Sequence, residues 1–273
     1  MVTAHPHSDP SSGQNVCGNS DKKGWRAVGG IVDGAIHLRN EKPCQDAIFF
    51  ATRENFAIAC VADGHGSSSC PHSDEGAVLA VKIAAELLEE MLPNLDAEKD
   101  MRLPRLLEAK WKSAVEEIHA AAERELAGSF PYILYGTTLL AVVATESFIF
   151  ALQIGDGNIL MIDREGNARP VLCAGESVGE DTESLCLNSA WTYIRTQIIP
   201  WNPADSPTMF LISTDGYANS FADSSGFIKA GTDFFKLWQE EGLAYISENL
   251  QGWLRKSSDK GSGDDIAMAL IAF

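Results

Sequence analysis

The sequence predicts an α+β domain in which two antiparallel sheets pack together and helices cover them. Three observations carry this. The apolar runs fall in the order strands, two helices, more strands, a helix and a last strand. Strand and helix do not alternate, which argues against a doubly wound parallel sheet. The strand-like runs are short and bounded by polar turns such as Arg53-Glu54-Asn55. The helix-like runs are apolar on one face only, as layers covering a sheet must be. The 273 residues suit one large domain or two small ones. With 45% hydrophobic and 22% charged residues, the composition is that of an ordinary globular protein.

Residues 1–23 are polar, rich in Ser, Pro, Asn and His, and read as a disordered tail; the folded domain is expected over 24–273. Trp25 to Val32 reads as a strand, followed by a polar connector from Asp33 to Gln45. Ala47 to Thr52 and Phe56 to Ala62 read as two further strands. A loop from Gly64 leads to a helix that Ser73 or Asp74 can cap, with Asp74 and Glu75 favourable at its positive end. Pro93 ends that helix. A second helix is expected from about Leu103 to Ala127, with Leu103, Leu107, Trp111, Ala114 and Ile118 as its apolar stripe. Thr137 to Ala144, Phe148 to Ile154 and Asn158 to Ile162 read as an antiparallel run. Gly175 to Glu183 is an acidic loop, and Trp191 to Ile199 a further strand. Met209 to Thr214 is a buried strand, Phe234 to Leu254 is mostly helical, and Ile266 to Phe273 closes the chain.

The formal net charge of −17 makes nucleic acid and anionic membranes poor partners. No run reaches the roughly 18 apolar residues of a membrane helix. The N-terminus lacks the features of a signal peptide, so the expected location is the cytoplasm. Six scattered cysteines contain no CxxC pair, which argues against a zinc ribbon or a thioredoxin-like motif.

The chemistry lies in the acids. Three apolar runs end in Asp-Gly, at Asp63-Gly64, Asp156-Gly157 and Asp215-Gly216; Asp264-Asp265 opens the last strand and Asp46 opens another. One Asp-Gly pair is ordinarily a turn. Five acid positions at the mouths of separate buried strands need partners, because an unpaired buried charge is costly. No basic residue is an immediate sequence neighbour that could pair with them, and a divalent cation would serve several at once. Carboxylate, carbonyl and water ligands suit magnesium or manganese. Two such ions suit hydrolysis of a phosphate ester.

These residues resemble the metal-dependent type 2C protein phosphatases, the PPM family. Gln45-Asp46-Ala47 is similar to the family's first acidic motif, and Val61-Ala62-Asp63-Gly64-His65-Gly66 to its D-G-H-G signature. Gly136-Thr137-Thr138 and Gly155-Asp156-Gly157 resemble its G-T-T and G-D-S segments. Thr214-Asp215-Gly216 and Asp264-Asp265-Ile266 resemble its T-D-G and terminal D-N-I. The ordered set spans nearly the whole globular part.

The resemblance implies a four-layer αββα sandwich with a metal site at one end, binding two Mn²⁺ or Mg²⁺ ions and in some members a third. It implies that Asp63 bridges two metals, with the Gly64 carbonyl, Asp215 and Asp264 as further ligands. Asp46 would act through metal-bound water. Asp156 matches an acid of the third site, and His65 the histidine proposed as general acid. The implied reaction is hydrolysis of phosphoserine and phosphothreonine in proteins, by a monomer that acts opposite a partner kinase. A non-catalytic phosphoprotein-binding relative and a phosphatase of small phosphorylated molecules are the alternatives.

The chain departs from the family at three places. Glu41 stands where many members carry the arginine that binds substrate phosphate; His37 or Arg39 is expected to replace it, with Arg39 favoured because a guanidinium binds phosphate by bidentate hydrogen bonds. That stretch, with Pro43-Cys44-Gln45-Asp46, looks like a bacterial branch. Gln45 stands where many members have Glu, and Asp265 replaces the usual Asn, placing a further charge near the metals.

Overall fold

The computed structural model describes residues 24–94, 102–122, 131–172, 183–202, 204 and 209–273. The expected N-terminal tail, most of the acidic loop and the end of the second helix beyond residue 122 lie outside the described residues.

Two antiparallel five-stranded sheets form the centre. The first contains β1 (Arg26–Val32), β10 (Ile266–Ala272), β9 (Met209–Ser213), β6 (Asn158–Ile162) and β7 (Ala168–Pro170), in that order. The second contains β2 (Asp46–Thr52), β3 (Phe56–Asp63), β4 (Leu139–Thr145), β5 (Phe148–Ile154) and β8 (Arg195–Pro200). Helices α2 (Ser73–Met91) and α3 (Arg102–Ala121) cover the second sheet; a single turn, α4 (Asp215–Ala218), follows β9, and α5 (Ser224–Lys260) covers the first sheet.

The period-2 alternation of side chains builds these layers. On β3, Ile58, Cys60 and Ala62 face α2 and α3 alongside Trp111, while Ala57, Ala59 and Val61 face the other sheet. On β10, Ala267, Ala269 and Ile271 face between the sheets, and Met268 and Leu270 face α5. The central strands are buried on both faces, which is why they read as continuous apolar runs rather than as alternating ones.

Several sequence expectations are corrected. The connector from Asp33 to Gln45 contains a short helix, α1 (Ala35–Arg39), too brief to show a period. The N-cap of α2 is His72, with no side-chain cap, because the Ser73 hydroxyl is used elsewhere: it accepts from Gln45 Nε2 at 2.7 Å. Trp191 lies in a 3₁₀ turn (Ala190–Thr192), and strand β8 starts only at Arg195. The last helix is longer than expected, from Ser224 to Lys260, and is broken at Gly242, whose φ of 83° few other residues would adopt. Asp223 caps it by accepting from the backbone of Ser225 and Gly226.

Candidate metal centre

The register of the second sheet makes the first half of the site. Asp46 opens β2 and Asp63 closes β3, and the two residues lie directly opposite each other. Two carboxylates from separate motifs thus reach one end of the sheet. The first sheet supplies the other half: Asp215 follows β9 and Asp264 precedes β10, which are neighbouring antiparallel strands.

Thr214 joins the halves. Its hydroxyl donates to Asp46 Oδ2 at 2.6 Å and accepts from the Ala267 N–H at 2.9 Å. The Asp63 peptide is clamped by two threonines. Its N–H donates to Thr138 Oγ1 at 3.0 Å, and its carbonyl accepts from Thr137 Oγ1 at 2.9 Å and from the Thr138 N–H at 2.9 Å. A Cβ at Gly64 would come within 2.6 Å of the Gln45 and Ser73 carbonyl oxygens, so only glycine lets the chain pass there.

These elements enclose a cavity of about 190 Å³ lined by His37, Gln45, Asp46, Asp63, Gly64, Gly66, Asp264 and Asp265. Asp215 stands beside it, its carboxyl hydrogen-bonded to that of Asp63 and to Asn219 Nδ2 at 2.9 Å. Asp156 is exposed, close enough for its charge to bear on both Asp215 and His65. The His65 ring lies outside the cavity lining, against Gly136, where an added Cβ would meet its Cδ2 at 2.6 Å. Burial lowers its pKa. His37 lines the cavity; Arg39, two residues on, is exposed and does not.

The electrostatics are those of crowded acids. Burial pushes the carboxyl of Asp46 well up, with Asp265, Asp264 and Asp215 adding to the effect and the Thr214 hydrogen bond opposing it. Burial likewise raises Asp63, reinforced by Asp46 and Asp215. Asp215 is raised by burial and then by Asp156 and Asp264, against its hydrogen bond with Asp63. No Lys or Arg among the described residues lines the cavity. Among the described residues no three acidic, histidine or cysteine side chains are already drawn into one closed ligand sphere. The donor set still fits hard divalent cations: it is oxygen-rich, excessively negative, and crowds carboxyls whose mutual repulsion a cation would relieve.

Three residues that the sequence names without their contacts hold the site together. Thr214 was seen only as part of a motif, yet it ties the sheets together at Asp46. Gln45 Nε2 reaches Ser73 Oγ and the His65 carbonyl, at 2.7 and 3.3 Å, fixing the two segments that flank the cavity. Asp265 is buried, at 3% exposure, and accepts from the backbone N–H groups of Gly34 and Gln45 at 2.5 and 2.7 Å. The sequence marks its charge as close to the metals, but not these two backbone contacts.

Comparison with known proteins agrees with the architecture. A family model described as "Protein phosphatase 2C" matches residues 33–255. Serine/threonine-protein phosphatase 3 of Escherichia coli (strain K12) is 24% identical over 261 residues, covering 91% of this chain and 99% of that protein. Among solved structures, the catalytic domain of the serine/threonine phosphatase PstP, crystallised with two manganese ions, superposes with a TM-score of 0.57. It is 14% identical, over 91% of this chain and 97% of the other. The S. agalactiae serine/threonine phosphatase gives a TM-score of 0.56 at 15% identity, over 91% of this chain and 99% of the other.

Proposed function

The chain belongs to the protein phosphatase 2C family, and from that premise we propose that its acidic cavity hydrolyses phosphoserine and phosphothreonine in proteins with the help of Mn²⁺ or Mg²⁺. The single observation that carries the reading is the convergence of Asp46, Asp63, Asp215 and Asp264 from two sheets on one end of the sandwich. Asp63, the Gly64 carbonyl, Asp215 and Asp264 would hold two divalent ions, with Asp46 acting through their water shell and Asp156 serving a third. Bound there, such ions lower the pKa of water and offset charge on phosphoryl oxygens.

The protein's own residues do the positioning. Thr214 keeps the Asp46 carboxylate aimed into the cavity, and Thr137 and Thr138 fix the Asp63 peptide. His65 is assigned the proton that the departing alkoxide takes up. His37, in the cavity wall, is the residue we assign to substrate phosphate in place of the family's arginine; the exposed Arg39 is the weaker candidate for that contact. The P-C-Q-D first motif, a cytoplasmic setting, monomeric action and a partner kinase belong to the same proposal. Among the described residues no helix is long and apolar enough to cross a membrane.

The test is phosphate release from phosphoserine and phosphothreonine peptides, from phosphorylated metabolites and from an aryl phosphate, with manganese and with chelator. Metal-dependent release from the peptides is expected; release from metabolites alone, or none at all from folded, metal-loaded protein, refutes the reading. The His65 assignment has its own check. His65→Gln should slow phosphoserine peptide by about 10²-fold, because a serine alkoxide leaves poorly without a proton. Aryl phosphate, whose phenolate leaves readily, should be slowed far less. Equal slowing of both substrates removes His65 from proton transfer.

A further inference from the structure

The one charged side chain of the cavity wall that family resemblance does not explain is Asp265, where an asparagine is usual. It is buried and its two oxygens are both engaged: Oδ1 accepts from the Gly34 N–H and Oδ2 from the Gln45 N–H. The same Oδ2 lies 2.8 Å from His37 Nδ1, and that buried nitrogen has no other polar partner among the described residues. The other ring nitrogen, Nε2, is 4.0 Å from Asp264 Oδ1, in the cavity wall.

The backbone around His37 is fixed to the same segment. The Ile36 N–H donates to the Gly263 carbonyl at 2.8 Å, and the Ala35 N–H to Ser258 Oγ at 3.0 Å. Ser258 Oγ in turn donates to the Asp264 carbonyl at 2.8 Å. The His37 carbonyl accepts from the Asn40 and Lys42 N–H groups, each at 3.0 Å. Helix α1 is therefore anchored to the segment that carries Asp264 and Asp265, and the His37 side chain it holds there is only 12% exposed.

We propose that Asp265 is a positioning residue for substrate phosphate: it keeps His37 Nδ1 turned to its own carboxylate, so that Nε2 faces the cavity and contacts a phosphoryl oxygen. The inference rests on the phosphatase reading and names the residue pair that gives this chain its phosphate contact. An asparagine at 265 cannot serve all three neighbours. Its amide group would place an N–H against one of the two backbone donors, or against the side of the ring that the carboxylate now faces.

The experiment uses the full chain saturated with manganese. Asp265→Asn and His37→Gln should each raise KM for a phosphoserine peptide about tenfold or more, with kcat changed less than about threefold. Manganese affinity, measured by calorimetry, should move less than about threefold. In the His37→Gln background, Asp265→Asn should add almost nothing. An equal effect in both backgrounds, or a loss of manganese affinity that accounts for the KM change, overturns the proposal. His37→Gln alters a half-buried side chain on a short helix, and it keeps the test decisive should Asp265→Asn fail to fold: unchanged KM in that variant is also fatal. Binding of inorganic phosphate to the manganese-loaded protein gives the same comparison without turnover. Phosphate binding that depends on both residues in a protein that hydrolyses nothing would sink the hydrolysis reading and leave the role of Asp265 standing.

Discussion

Asp63→Asn is expected to lower phosphatase kcat/KM by roughly 10³-fold or more, the scale on which losing a preorganised electrostatic group registers. It is also expected to make the chelator-treated protein more stable. Asp63 faces Asp46 across the sheet and hydrogen-bonds Asp215, and burial with those two neighbours pushes its carboxyl well up. Near neutral pH, the folded state holds this crowd at a cost that the unfolded chain does not bear. An amide of the same shape removes one acid from the cluster while leaving the Thr137 and Thr138 clamp, which acts on the peptide rather than the side chain. Each kcal/mol relieved should raise the melting temperature by about 2–4 °C for a chain of this size. A purely structural Asp63 predicts the opposite pair of results: activity retained or lost in proportion to stability. Activity assays and thermal melts with chelator on the same samples decide between them.

Manganese should raise the melting temperature of the wild-type protein, and by more at higher pH. The sign follows from the acids. Asp46, Asp63 and Asp215 all have folded-state pKa values above the ordinary 3.8. Stability linked to their protons is fully present below 3.8 and is lost as pH rises through the raised values. Metal binding has to displace those protons, so it competes poorly at low pH and well once they have left. At a metal concentration about 100 times the dissociation constant the gain is about 2.7 kcal/mol, or about 5–10 °C. Melting curves at matched ionic strength across this range, with manganese and with chelator, test it. A metal-induced shift that is absent, or that shrinks as pH rises, contradicts a site built from these carboxyls. In the Asp63→Asn variant the manganese shift should be largely lost.

How much of the site is legible in the chain depends on sequence distance. Asp63-Gly64, Asp156-Gly157 and Asp215-Gly216 announce themselves because each ends a run of buried residues, and a charge at such a place needs a reason. The layers are legible for a related reason: strands buried on both faces stay apolar throughout, and helices that cover a sheet are apolar on one face. Short or irregular pieces are not legible. Helix α1 has five residues, less than two turns, and shows no periodicity, yet it carries His37. The break at Gly242 leaves only a glycine in an otherwise helical pattern, and nothing local gives its φ.

By itself, then, the sequence determined the two-sheet α+β architecture and the acids at the strand ends, because both follow from local alternation and from the cost of burying charge. Tertiary structure alone decided which acids meet. Asp46 and Thr214 are 168 residues apart and touch only because the two sheets pack with those ends together. It also decided that His37 lines the cavity while Arg39 does not, and that Asp265, 231 residues from Gly34 and 220 from Gln45, ties α1 and the first acidic motif to the last strand. The period of a strand fixes which face a side chain takes; only sheet packing and register fix what it finds there.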